Sequence, residues 1–133
     1  MTPTRKKIKK IERQSKKLWH DLAMERAGNK CEFCGATENL QVHHIENKGR
    51  CRKLRYDLEN ACVLCAKHHT MGDISAHSKS YFGQTAFHEW LDGYLGAERL
   101  AYLYKMKYKV EKVNLGFVAV ELTKLELEKS KEL

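Results

Sequence analysis

Hydrophobic and polar positions follow three rhythms along this chain. In "TRKKIKKIERQSKKLWHDLAMERAGNK" the apolar residues Ile8, Ile11, Leu18, Leu22 and Ala23 recur at near-helical spacing, and Gly28 with Asn29 supplies a stop. These features predict a basic helix within residues 1–30. Between 31 and 79 the pattern breaks into short pieces. Leu40, Val42 and Ile45 alternate with polar neighbours and predict a short strand. "ENKGRCRKLRYDLEN" has no period and reads as a basic loop. "ACVLC", β-branched at its centre, predicts a second strand. "AKHHTMGDISAHSKS" reads as a helix in spite of Gly72. From residue 80 to 133 helical spacing returns. Phe82, Phe87, Trp90, Leu91, Tyr94 and Leu95 form an apolar face, whose aromatic residues are expected in the core rather than as a base-stacking platform, and "GAERLAYLYKMKYKVEKV" continues after a break near Gly93 or Gly96. "LGFVAVELT" alternates and predicts a short strand near 117–123. The expected class is α+β.

Composition narrows the setting. The 133 residues suit one compact domain with appended helices, and 25 basic against 17 acidic residues give a net charge of +8. Positions 1–30 alone hold ten basic and three acidic residues. This balance favours a polyanionic partner, with a solvated helix face as the plainer explanation of the basic stretch. No run of 18 apolar residues predicts a membrane span. No apolar region follows the basic start, so the expected setting is the cytosol. With no export signal, the five cysteines are expected to hold a metal or remain free thiols.

The cysteine spacing carries the strongest chemistry. Cys31 and Cys34 form a C-x-x-C pair around a turn at Gly35, and "CVLCAKHH" follows thirty residues later. Either Cys62 with Cys65, or Cys65 with His68, would complete a tetrahedral zinc site, because zinc accepts thiolate and imidazole alike. Such a site staples a small core. The adjacent His43 and His44 raise a separate question. Successive residues of a regular strand face opposite ways, so both reach one site only where the strand bends or ends.

"LQVHHI", then Asn60, then "LCAKHH" resembles the motif of the HNH nucleases. That resemblance spans about residues 30–80 and implies a ββα-metal core: two short strands and a helix clasping a divalent cation. Helices would flank the core on both sides. It selects Cys31, Cys34, Cys65 and His68 as the structural zinc ligands, with His68 where relatives usually carry cysteine. Cys51 and Cys62 are then left over. It implies His43 and His69 as ligands of a catalytic ion, magnesium or another divalent cation. On a helix His69 shares a face with Asp73, four residues on, and roughly with His77, so Asp73 is the third expected ligand. His44 takes the general-base position, and Asn60 orients the loop or His44. The segment "GAERLAYL" loosely resembles phage NinG-type recombination proteins, which suggests a phage or bacterial host cytosol.

The reaction implied is metal-dependent hydrolysis or nicking of DNA phosphodiester bonds. His44, neutral near pH 7 because an unperturbed imidazole titrates at about 6.5, would take a proton from the attacking water. Lys48, Arg50, Arg52, Lys53 and Arg55 would clamp phosphates beside the site without reading bases. Two other readings compete. One is a non-catalytic, zinc-dependent nucleic-acid-binding module, and the other a zinc-stapled protein-interaction domain.

Overall fold

A computed structural model describes residues 5–47, 52–109 and 115–131. The architecture is mixed α+β, mostly helical around one two-stranded sheet. Helix α1 spans Arg5–Arg26. Its buried stripe is Ser15, Trp19, Leu22 and Ala23, spaced by four, three and one, as one helix face requires. Ser15 is tolerated inside because its hydroxyl donates to the Ile11 carbonyl at 2.9 Å. The helix stops as expected. Gly28 and Asn29 take positive φ values of 69° and 55°, and Asn29 N–H returns to the Met24 carbonyl.

Strands β1 (Leu40–His44) and β2 (Ala61–Cys65) pair antiparallel, with Leu40 opposite Cys65 and His44 opposite Ala61. Every residue of β2 is buried. Its odd positions Ala61 and Val63 pack with Trp19, Leu22 and Ala23 of α1. Its even positions Cys62 and Leu64 pack with Phe87 and Leu91 on the other side. The strand is apolar on both faces because helices cover both.

The connection between the strands is tied by Asn60. Its side-chain oxygen accepts from Glu46 N–H at 2.7 Å, and its amide donates to the Glu46 and Leu54 carbonyls at 3.1 and 3.0 Å. Two arginines brace the same corner. Arg26 donates to the Leu58 and Ala61 carbonyls, and Arg99 to those of Glu59 and Ala61.

After β2 the structure departs from the expected helix over residues 66–80. Only one wide turn forms, Lys67–Met71, closed by Gly72 N–H on the Lys67 carbonyl. Gly72 is extended, and the chain doubles back. Ala76 N–H reaches the His68 carbonyl and His77 N–H the His69 carbonyl, both at 2.9 Å. The flexibility that glycine brings to a helix interior is the reason the turn ends there.

Helix α2 (Tyr81–Leu95) is capped by Ser80, whose hydroxyl accepts from Gly83 N–H, and buries Gly83, Phe87 and Leu91. It breaks at Gly96, φ 82°, into α3 (Ala97–Tyr108), whose Leu103 packs on Leu54. The expected strand near 117–123 is instead part of helix α4 (Leu115–Ser130). Both parities of "LGFVAVELT" are apolar, so alternation there does not distinguish strand from helix. The following "KLELEKS" is rich in strong helix formers. Leu125 then buries itself in the cluster around Trp19. No helix among the described residues is long and apolar enough to cross a membrane.

Candidate metal centres

Two clusters of ligating side chains stand among the described residues. The first gathers Cys31, Cys34, Cys65 and His68, with one ligand atom from each within 4.8 Å of the others. The knuckle turn makes this local. Gly35 N–H returns to the Cys31 carbonyl and Cys31 N–H to that of Ala36, with Gly35 at φ 80°. Cys34 Sγ and Cys65 Sγ are 3.7 Å apart, and Cys65 Sγ and His68 Nδ1 are 3.3 Å apart. A tetrahedral zinc with sulfur ligands at about 2.3 Å has sulfur–sulfur edges of about 3.8 Å. The group therefore has the dimensions of a zinc cage and could hold such an ion.

Phe33 stacks on the His68 ring at 4.2 Å and holds its orientation. Burial lowers the His68 pKa and favours the neutral, ligating imidazole. Cys62 lies outside the cage. Burial, with Glu32 nearby, pushes its thiol above the ordinary range, so it stays protonated. The choice between Cys62 and His68 as fourth group is thus geometric: β2 turns Cys62 towards the Phe87 side, while the turn after Cys65 returns His68 to it.

The second cluster is His43, His69 and His77. Their ring centroids form a near-equilateral triangle, 5.1, 5.0 and 4.9 Å on a side. His43 comes from β1, His69 from the wide turn, and His77 from the loop that follows Gly72. Burial holds the His43 pKa down to about 3, and the neighbouring histidines push the same way. His69 is lowered for the same reason, burial first and then His77. The His69 Nδ1 faces the Gln41 side-chain oxygen. That acceptor places the proton on Nδ1 and leaves the Nε2 lone pair for a metal. The three residues grade from buried His43 to exposed His77, so the cluster is open on one side.

Asp73 does not join it. The carboxylate is exposed and lies outside both clusters. The expectation assumed a helix through residue 73. With the helix ended at Gly72, the bond from His77 N–H to the His69 carbonyl brings His77 there instead. Gly72 was the one signal in the sequence that pointed to this.

His44 is separated from His43. β1 stays regular to its last residue, so His43 faces Phe87 while His44 stacks on Trp19 at 4.1 Å, 17° from parallel. His44 Nε2 pairs with the Arg55 carbonyl at 2.8 Å, which assigns the proton to Nε2 and leaves Nδ1 as the basic nitrogen. Asn60 is fully buried among backbone groups and belongs to the loop, not to a cluster. Of the expected phosphate clamp, Lys53 and Arg55 are half-buried, and Arg55 pairs with Glu12 at 3.8 Å. Arg52 opens the short turn Arg52–Leu54. Lys48, Arg50 and the leftover Cys51 lie outside the described residues. Comparison of the chain with protein-family models, curated proteins and solved structures returned no match.

Proposed function

We propose that this protein is a metal-dependent nuclease of the HNH type, acting on DNA phosphodiester bonds. The observation that carries this reading is the pairing of two unlike centres. A thiolate-rich, four-donor group has no vacancy for substrate, whereas a three-imidazole group is open to solvent. Closed four-donor sites are structural and three-donor sites with an open position are catalytic. β1, β2 and the turn at Lys67–Met71 then play the parts of a ββα-metal core, with the helix reduced to one turn.

A divalent ion held by His43, His69 and His77 would supply charge stabilisation to a phosphate oxygen and the leaving group. Three imidazoles suit zinc, nickel or another transition metal better than magnesium, which prefers oxygen donors. His44, at the very end of β1, would take a proton from the attacking water through Nδ1, with its Nε2–H anchored on Arg55. The phosphodiester would straddle the strand end, between the triad on one face and His44 on the other. Asn60 positions the loop that carries this carbonyl by holding Leu54 next to it.

One observation favours the non-catalytic nucleic-acid-binding reading instead: His44 is sandwiched against Trp19 on the face away from the triad. Plasmid nicking across a panel of divalent ions separates the two. The nuclease reading expects nicking that EDTA stops, that transition metals restore, and that His44→Ala abolishes with zinc content and DNA binding intact. Undiminished nicking by His44→Ala would remove His44 from the mechanism. No nicking with any ion would leave the binding module.

A further inference from the structure

The stretch that delivers His69 and His77 also exposes apolar side chains that the fold does not use. Met71 is 81% exposed, Tyr81 76%, Phe82 81% and Ile74 43%. Single exposed apolar residues are ordinary, but four within twelve residues of one another are not scattered. Tyr81 and Phe82 occupy the first turn of α2, off the buried stripe of Gly83, Phe87 and Leu91. Their rings meet edge to face at 5.6 Å.

The ridge is rigidly mounted. A methyl group at Gly83 would lie 1.9 Å from the Asp73 carbonyl oxygen, so the start of α2 presses directly on the loop between Gly72 and His77. Tyr81 follows His77 by four residues, a span of at most about 14 Å even when fully extended. Met71 follows His69 by two, at most about 7 Å. Chain length therefore keeps these residues near the histidine triad. Two lysines, Lys67 and Lys79, flank the ridge, one acid, Asp73, lies within it, and the whole chain carries +8.

We propose that this ridge is a stacking platform for unpaired nucleobases, and that the preferred substrate is single-stranded nucleic acid or a strand opened from a duplex. This rests on the nuclease reading for the position of the phosphate. Flat aromatic faces on a basic protein bind bases of any sequence, because every base offers a π-face. In a paired duplex those faces are already stacked, so duplex alone gains little from Tyr81 and Phe82. Met71 and Ile74 supply soft, adaptable contact at the edge of the platform.

The test is fluorescence anisotropy with a labelled oligo-dT of about 15 nucleotides and a duplex of equal length, on zinc-loaded protein. Parent protein is expected to prefer the single strand. Tyr81→Ala and Phe82→Ala should each weaken single-strand binding roughly tenfold, with duplex binding nearly unchanged. Phe82→Trp should keep or tighten it. Both side chains are exposed, so circular dichroism and zinc content should match the parent. Equal single-strand affinity of parent and alanine variants, or a preference for duplex, overturns the platform, and the nicking result stands independently. Strand binding that depends on the two rings, with no cleavage by any metal, sinks the nuclease reading and leaves the platform in place.

Discussion

Replacing Asn60 with alanine should loosen the whole corner between the strands. The side chain makes three hydrogen bonds, two to Glu46 and one to Leu54, and is 0% exposed. At about 1 kcal/mol each these contribute about 3 kcal/mol. The Leu54 carbonyl, in a fully buried residue, would lose a partner that water cannot easily replace, which raises the cost to roughly 4 kcal/mol. That is a large fraction of the 5–15 kcal/mol typical of a domain. Urea unfolding of zinc-loaded protein, followed by tryptophan fluorescence, would measure it.

Asn60→Asp sharpens the test. A carboxylate can still accept from Glu46 N–H but cannot donate to either carbonyl, and its charge is buried. Its folded pKa should therefore rise above the unfolded value of about 3.9. Between those two values the folded state binds more protons, so stability falls as pH rises, and the full penalty is present at neutral pH. A loss below about 1 kcal/mol for Asn60→Ala, or an Asp variant whose penalty ignores pH, would refute the idea that Asn60 ties this loop.

Three further outcomes are expected. Cys65→Ser should release zinc and unfold the knuckle region, while Cys62→Ser should retain it, as metal analysis after gel filtration would show; the cost is large because metal binding is coupled to folding. His77→Ala should weaken nickel or cobalt binding at the triad at least tenfold by calorimetry, and Asp73→Ala should leave it unchanged, since among the described residues it is His77 that stands with His43 and His69. The folded pKa of His43, about 3, lies below its ordinary 6.5, so between these values the unfolded chain binds more protons and stability drops as pH falls through that window. His43→Gln should flatten this slope relative to the parent; an unchanged slope would place the acid sensitivity elsewhere.

The local signals in the chain were legible where chemistry is set by neighbours in sequence. The C-x-x-C turn, the stop at Gly28 and Asn29, and the two short strands needed nothing distant. The α1 stripe was legible in period but not in membership: Trp19 and Ser15 face inward, and Ile8 does not belong to the buried set. The residues 117–123 misled because the unbroken apolar run 117–120 has no polar position to mark its period. Its helix is stabilised by the flanking helix formers and by Leu125 packing beside Trp19.

The sequence by itself determined that Cys31, Cys34 and Cys65 could converge with either Cys62 or His68, since short turns join each pair and one strand pairing joins the halves. It also determined that His43 and His44 would part unless β1 bent, because side chains alternate along a strand. Only the tertiary structure decided that β1 does not bend, that Trp19 covers His44, and that His77 rather than Asp73 completes the second cluster. The last of these depends on a hydrogen bond spanning eight residues and on α2 pressing against the loop at Gly83, and the second on α1 packing over the strand end. Interactions of that kind link residues that no repeating pattern relates.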